Sequence, residues 1–157
     1  MADMYGAVRS NEFRVKDVEA FKTWFEGYIF GDEIEVWVDT LNEDGSGTVS
    51  FGEAGQYPSA YPRIRVWNTD DGLPENEEDD DWEAVEADLD QFAMELRQHL
   101  VASEIFQVVA GGAEKLRYVG FTELLIAEDV DTVRWNIIYS DDSKEVLRDR
   151  LMHGIMS

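Results

Sequence analysis

The sequence predicts an α+β protein with mostly antiparallel sheet and about three helices, in a single domain spanning residues 1–157. Two patterns support this prediction: short segments in which apolar and polar residues alternate, and longer segments in which apolar residues recur every three to four positions. The length of 157 residues and the hydrophobic fraction of 44% suit one sizeable core. Because the chain contains no cysteine, packing rather than disulfides must hold that core together.

The first third of the chain is predicted to contain a helix and a β-hairpin. Asp17 is a suitable N-cap for a helix over Val18–Glu26, whose apolar residues fall on one face. Apolar and polar residues then alternate over 34–38, which is typical of a half-buried strand. The turn-rich segment 42–47 leads into a second strand over Thr48–Phe51, and the two strands form the hairpin.

The middle of the chain is predicted to contain a strand, an acidic loop and the longest helix. Two Tyr-Pro steps make residues 56–62 an extended connector, and Arg63–Trp67 follows as a strand. Residues 68–81 are acidic and almost without bulky aliphatic side chains, which predicts a mobile loop. A second helix is predicted over Trp82–Leu100, because its apolar residues are spaced three or four apart: Trp82, Val85, Leu89, Phe92, Leu96 and Leu100.

The last third of the chain is predicted to form an antiparallel meander followed by a helix. Three segments rich in β-branched and aromatic residues, Ile105–Val109, Leu116–Ile126 and Val133–Tyr139, are separated by glycine and acidic residues. A third helix is predicted over Lys144–Met152, with Ser143 as its N-cap.

Acidic residues are concentrated in one part of the chain. The formal net charge is −22, and the 74 residues between Lys22 and Arg97 hold 21 acidic side chains against two basic ones, Arg63 and Arg65. Residues 66–96 contain 13 acids and no base. A localised negative field repels nucleic acid and anionic lipid and attracts basic protein surfaces or cations. The sequence therefore predicts a basic, nucleic-acid-binding protein as the partner, with no direct contact to nucleic acid or membrane.

One face of the predicted second helix forms a ridge of carboxylates. Glu83, Glu86 and Asp90 are spaced three and four apart, so on a helix they lie about 4.5 and 6 Å apart along the axis. This is similar to the spacing of phosphates in nucleic acid, about 3.4 Å along each strand. The alternative is a solvated helix face whose first-turn acids favour the helix dipole. The residues predicted to bind the partner are the ridge and the acids before it: Asp70, Asp71, Glu75, Glu77, Glu78, Asp79, Asp80, Asp81, Glu83, Glu86 and Asp90.

These observations lead to the hypothesis of a non-catalytic acidic binding protein that imitates nucleic acid. Its acidic face combines the predicted loop, the outer side of the second helix and the hairpin at 39–44, and it occupies the basic groove of a DNA- or RNA-binding protein. Small inhibitors of restriction enzymes and of CRISPR effectors, often found on phages and plasmids, use the same physics. The analogy rests on charge geometry rather than on a sequence motif.

A calcium-binding module is the first alternative function. Residues 42–53 align with the twelve-residue EF-hand loop, in which the candidate ligands are Asn42, Asp44, Ser46 and Glu53. Position 1 is Asn42 instead of a charged ligand, and the flanking segments are predicted as strand and connector instead of helices. A glycine-rich hairpin turn accounts for the same residues. On that interpretation the chain holds no metal.

A salt-adapted acidic domain of unrelated role is the second alternative. Proteins adapted to high salt are acidic throughout, and the balance of four lysines to nine arginines is compatible with this class. The clustering of the acids argues against it, because solvation of a whole surface requires acids on every element. In this sequence the predicted meander and last helix are close to neutral.

Known catalytic motifs are absent from the sequence. It contains neither a G-x-S-x-G elbow nor a phosphate-binding G-x-x-x-x-G-K-[ST], and His99 and His153 lie near helix ends outside any metal-ligand spacing. We therefore expect a protein that is not an enzyme and uses no cofactor. The N-terminus does not resemble a signal peptide and no apolar run approaches about 20 residues, so we expect a soluble, cytoplasmic protein.

Overall fold

The computed structural model describes residues 4–30, 34–56, 59–67, 82–114, 118–130 and 133–135, together with Lys144, Glu145, Asp149 and Leu151. These residues form nine strands and two helices. In chain order the elements are β1 (Met4–Ser10), β2 (Phe13–Val15), α1 (Val18–Phe25), β3 (Glu35–Leu41), β4 (Gly47–Gln56), β5 (Arg63–Trp67), β6 (Trp82–Glu86), α2 (Leu89–His99), β7 (Ile105–Glu114), β8 (Tyr118–Ala127) and β9 (Val133–Trp135).

Seven of the strands form one antiparallel sheet with β1 near its centre. β1 pairs with β4 on one side and with β7 on the other, and β8 and β9 continue the sheet beyond β7. β4 also pairs with the short β2, which follows β1 along the same edge of β4, and with the outer strand β3 along its opposite edge. The remaining strands, β5 and β6, form a separate two-stranded sheet. The predicted α+β class with mostly antiparallel strands is confirmed.

Four glycines align across four adjacent strands of the large sheet. Gly6 of β1 is the register partner of both Gly55 and Gly112, and Gly112 in turn is the partner of Gly120. A row without Cβ atoms therefore crosses the sheet from β4 to β8. Glycines within strands permit a tight bend or the close approach of another backbone.

The core is a cluster of aromatic rings between the sheet and the two helices. Phe13 of β2 lies 5.4 Å from Phe21 of α1 and 5.1 Å from Phe106 of β7, measured between ring centroids. Phe92 of α2 lies 6.1 Å from the same Phe106 ring. Both helices therefore pack on one face of the sheet. The buried phenylalanines of this cluster are Phe13, Phe21, Phe25, Phe30, Phe51, Phe92 and Phe106.

The first predicted helix is confirmed and the second is shorter than predicted. In α1 the Asp17 carboxylate accepts the Ala20 amide at 3.1 Å, as expected of an N-cap. The predicted helix over 82–100 is wrong in its first third, because 82–86 form strand β6 and α2 begins after the Asp88 cap. The apolar residues at 82 and 85 fit the helical stripe, but pairing with β5 overrides this local pattern.

The prediction of about three helices is slightly too high for the part of the chain that the structure describes. Of the third predicted helix, Lys144, Glu145, Asp149 and Leu151 have helical backbone, and its other residues lie outside the described set. Neither α1 nor α2 combines the length and the apolar composition that crossing a membrane requires.

The predicted strands agree with the structure in most places. The hairpin of β3 and β4, strand β5 and the β7–β8–β9 meander are confirmed, although β7 continues to Glu114 and β4 to Gln56. The strands β1 and β2 were not predicted. Their absence from the prediction matters most for topology, because β1 joins the two halves of the sheet.

A buried carboxylate joins three distant segments on the far side of β2, the edge that faces away from β4. The Glu104 side chain is fully buried, and one of its oxygens accepts both the Arg14 amide at 2.7 Å and the Arg14 Nε at 2.9 Å. Its other oxygen accepts Lys144 Nζ at 2.5 Å. Burial alone raises the pKa of Glu104, but hydrogen bonds from Lys144, the Ile105 amide and Arg14 together lower it below the ordinary value.

Replacing Glu104 with glutamine is expected to lower the free energy of unfolding by about 3 kcal/mol at neutral pH. The folded-state pKa of Glu104 is lowered, so its contribution is present above the unfolded value of 4.5 and is lost as the pH falls through the folded value. Urea unfolding of both proteins at several pH values measures the difference, which we expect to shrink below pH 4.5. The exposed Glu12→Gln variant is the control. A difference that stays constant with pH would contradict the assignment.

Candidate functional site

The two-stranded sheet of β5 and β6 is named here the arm. Its residues pair from Arg63 with Glu86 to Trp67 with Trp82. The base of the arm is fastened to the loop after α1, because the Ile29 amide donates to the Arg63 carbonyl at 2.8 Å and the Arg63 amide donates back at 2.9 Å. The Ala87 amide donates to the Pro62 carbonyl at 3.0 Å. These hydrogen bonds attach the base of the arm to the body.

Three exposed carboxylates surround a tyrosine at the base of the arm, and we name Glu86, Asp88 and Asp90 the acidic cluster. The Tyr61 hydroxyl donates to the Ala87 carbonyl at 3.0 Å, which places it beside the turn between β6 and α2. Burial raises the pKa of Tyr61, and the negative charges of the cluster raise it further. Glu86 ends β6, Asp88 caps α2 and Asp90 lies in its first turn, so the three carboxylates belong to one short stretch of backbone beside this hydroxyl. They form a local negative field.

The predicted ridge on a helix is wrong for two of its three members. Glu83 and Glu86 lie on β6, opposite Val66 and Arg63 of β5, whereas Asp90 lies in the first turn of α2. Residues three apart on a strand point to opposite faces, so Glu83 and Glu86 cannot form one row. All three side chains are nevertheless exposed. The structure brings Glu86 and Asp90 together with Asp88 and leaves Glu83 on the other face of the arm.

The other predicted partner-binding residues lie outside the described residues: Asp70, Asp71, Glu75, Glu77, Glu78, Asp79, Asp80 and Asp81. The structure does establish where their segment begins and ends. Residues 68–81 connect Trp67 to Trp82, and these two residues are register partners in the arm. The eight acids therefore belong to the connection of a β-hairpin.

The salt bridges between described residues do not involve the acidic cluster. The two salt bridges found there both go to Glu104, on the far side of β2. Arg63 is the register partner of Glu86, yet no salt bridge joins them. The three carboxylates of the acidic cluster are exposed.

The EF-hand alignment does not correspond to an EF-hand geometry. Asn42, Asp44 and Ser46 form the tip of the β3–β4 hairpin, where one Asp44 oxygen accepts the Ser46 amide at 3.0 Å and the Ser46 hydroxyl at 2.6 Å. These hydrogen bonds lower the pKa of Asp44. Glu53 pairs with Val8 in the middle of the sheet, about 20 Å along β4 from the tip. The four candidate ligands do not meet at one point.

Two glycines explain why residues 42–47 form a hairpin turn. Gly45 has a φ of 90°, a left-handed conformation that favours glycine. A Cβ on Gly47 would lie 2.1 Å from the Thr40 carbonyl oxygen. The glycines of the apparent calcium motif therefore serve the close approach of β3 and β4.

The hairpin tip and the base of the arm contact different ends of α1. The Gly45 carbonyl accepts the Val18 amide at 2.8 Å, which places the tip at the start of α1. The arm is fastened at Ile29, after the end of α1. The helix has eight residues and is about 12 Å long, so the two acidic regions lie at its opposite ends.

Asp88 was not predicted as part of the site. Asp88 is the N-cap of α2, where its carboxylate accepts the Gln91 amide at 3.1 Å. An acidic cap followed three residues later by glutamine is a helix-start signal that was present in the sequence. Tyr61 carries no such signal, because its position depends on the contact with Ala87. His99 lies at the end of α2 as expected, and stacking on Trp24 buries it and lowers its pKa.

Searches for a metal site and for related proteins add no assignment. In the part of the chain that the structure describes, no group of three or more His, Asp or Glu side chains is placed to hold a metal ion. Comparisons with protein-family models, with curated proteins and with solved structures find no match for this chain.

Neutralising the acidic cluster is expected to lower the pKa of Tyr61. In a variant with Glu86→Gln, Asp88→Asn and Asp90→Asn, the value should move toward 10.0 and stay above it, because burial of the hydroxyl remains. Tyrosine titration followed by NMR measures the change, and Tyr61→Phe assigns the signal. The control neutralises Glu12, Glu19 and Glu43, which removes the same charge elsewhere. An equal shift in both variants would contradict a local cluster.

Proposed function

We propose that this protein is a non-catalytic binding protein that uses an acidic surface to imitate nucleic acid. The surface consists of the acidic cluster, Glu83 on the arm, and the acids of the connection between β5 and β6. Its target is the basic groove of a DNA- or RNA-binding protein, such as a restriction enzyme or a CRISPR-type effector. Binding there excludes the nucleic acid, and inhibition is competitive.

The observation that supports this proposal most directly is that Glu86, Asp88 and Asp90 are all exposed and follow one another across the turn from β6 to α2. The Tyr61 hydroxyl bonds to the Ala87 carbonyl in the same turn, so backbone structure holds these carboxylates in one region of the surface. The same arm carries residues 68–81, whose 14 positions include eight acids and no base. A cationic groove that normally neutralises phosphates offers matching charges to such a surface.

Electrostatics increases both the rate and the specificity of association between this acidic surface and a basic groove. A concentrated negative field steers a basic partner toward the arm and increases the association rate at low salt. Exposed charges are screened within about 10 Å at 0.1 M ionic strength, so affinity decreases as salt is added. The same field repels DNA and RNA from this protein. These properties are those expected of a competitor for a nucleic-acid site.

The first experiment is capture of partners from a cell lysate at low salt with the full chain as bait. We expect nucleic-acid-binding proteins among the captured proteins, and we expect an excess of duplex DNA to release them. Captured proteins that stay bound in the presence of DNA would contradict mimicry. Unfolding of the free chain at low ionic strength would instead favour a salt-adapted domain.

Charge reversal at Glu83, Glu86 and Asp90 to lysine is expected to weaken binding to the captured partner at least about 100-fold, because each change replaces attraction with repulsion. Binding is measured by titration calorimetry at two salt concentrations. The control carries Glu12, Glu43 and Glu145 changed to lysine, which alters the net charge equally on other exposed elements. Equal weakening by the two variants would exclude a specific role for the arm. Circular dichroism verifies the fold of both.

A further inference from the structure

The outer strand β3 has one side without a partner strand in the described part of the chain. It pairs with β4 alone, with Glu35 opposite Gly52 and Trp37 opposite Ser50. An edge strand with unpaired amides and carbonyls is a ready template for another extended chain. The side chains and hydrogen bonds of β3 indicate what kind of chain fits.

The hydrogen bonds of β4 identify which groups of β3 are unpaired. The Phe51 amide donates to the Ser10 hydroxyl at 2.8 Å, so the backbone groups of Phe51 point toward β1 and β2. Because these groups alternate along a strand, Ser50 and Gly52 point toward β3. Their partners Trp37 and Glu35 therefore bond to β4. The amides and carbonyls of Val36 and Val38, one residue along, point away from the sheet.

The first part of the edge, residues 35–38, contains neither proline nor lysine, two features that commonly block pairing, and keeps a regular register with β4. An irregularity in register follows between Val38 and Thr40. Val38 is 42% exposed and Leu41 is 63% exposed. A groove of about 310 Å³ is lined in part by Ile34, Val36 and Arg65 of the arm.

The two faces of β3 differ in chemistry. Val36 packs against the aromatic core, so Val36 and Val38 share the face toward the helices. On the opposite face, Trp37 contacts Arg9 and Asp39 accepts the Ser50 hydroxyl at 3.0 Å, with Glu35 exposed beside them. An added strand places its side chains next to these neighbours. Apolar residues suit the first face, and basic residues suit Glu35 and Asp39 on the second.

We propose that the edge of β3 binds an antiparallel strand from the partner protein, in which apolar and basic residues alternate. The inference rests on the proposed function for the basic character of the partner, and it adds a backbone-directed contact to the charge contact made by the arm. Such strand addition combines affinity from main-chain hydrogen bonds with specificity from alternate side chains. The charge complementarity at Glu35 and Asp39 selects this occupant over a second copy of the chain.

Backbone methylation of a peptide tests the proposal without knowledge of the partner. The probe is a short synthetic peptide of alternating valine and lysine, titrated into the full chain by calorimetry. In an antiparallel pair the valines face Val36 and Val38, and their amides point toward β3. N-methylation of the valine amides is expected to weaken binding at least about tenfold, because several hydrogen bonds are lost. N-methylation of the lysine amides is expected to change affinity less than about twofold.

A protein variant gives an independent measurement. Val38→Pro removes an outward amide from an edge strand, where proline is tolerated. We expect this variant to bind the unmethylated peptide more weakly. Val38→Thr retains the amide and serves as the matched control. Circular dichroism verifies both folds, and the two methylated peptides decide the question if the proline variant does not fold.

Equal affinity for the two methylated peptides would overturn the proposal, as would failure of the parent peptide to bind. Self-association of the free chain that Val38→Pro abolishes would show that a second copy occupies the edge, and would also overturn it. These results leave the mimic proposal intact, because mimicry requires only the acidic surface. Capture of partners that DNA does not release would instead contradict mimicry, whatever the peptides show.

Discussion

The packing of phenylalanine rings between the sheet and two helices is the constraint on which the rest of this structure depends. Phe13 and Phe106 come from the sheet, and Phe21 and Phe92 come from the two helices, so one cluster holds both helices on the sheet. Trp24 stacks on Phe92 at 5.4 Å between ring centroids, and its indole nitrogen donates to Glu95 at 2.7 Å, which joins α1 to α2 directly. Once both helices are fixed, the end of α1 and the start of α2 meet at the base of the arm.

The position of the acidic surface follows from this packing. Ile29, shortly after α1, bonds to Arg63 at the beginning of β5, and Asp88 caps α2 immediately after β6. The arm is therefore held between two helix ends, and its carboxylates are kept outside the apolar core. The buried ion pairs of Glu104 lie on the far side of β2. Charges that stabilise the fold and charges proposed to bind a partner are thus on different parts of the molecule.

Local sequence patterns predicted most of the elements but not their arrangement. The Asp17 cap, the β3–β4 hairpin and the β7–β8–β9 meander depend on near neighbours, so they were readable from spacing and turn residues. Trp82–Glu86 has helical spacing but pairs with β5, and that partner is a long-range contact that no local pattern reports. The same distinction between local pattern and long-range contact applies to the site. The sequence located the acids, whereas the grouping of Glu86 with Asp88 and Asp90 depends on the strand that ends before Asp88.

The arm has a further physical consequence for how such an acidic chain remains folded. Like charges close together repel, and repulsion within the core or the large sheet would oppose folding. Here Glu83 and Glu86 lie on the arm, whereas Asp88 and Asp90 lie at the start of α2. All four side chains are exposed and outside the large sheet, so their repulsion acts on the periphery. A cationic groove that neutralises these carboxylates removes the repulsion as it binds. In the proposed complex, the free energy of binding therefore includes the relief of a repulsion that is present in the free protein. Salt ions screen this repulsion, so its contribution to binding decreases as salt is added.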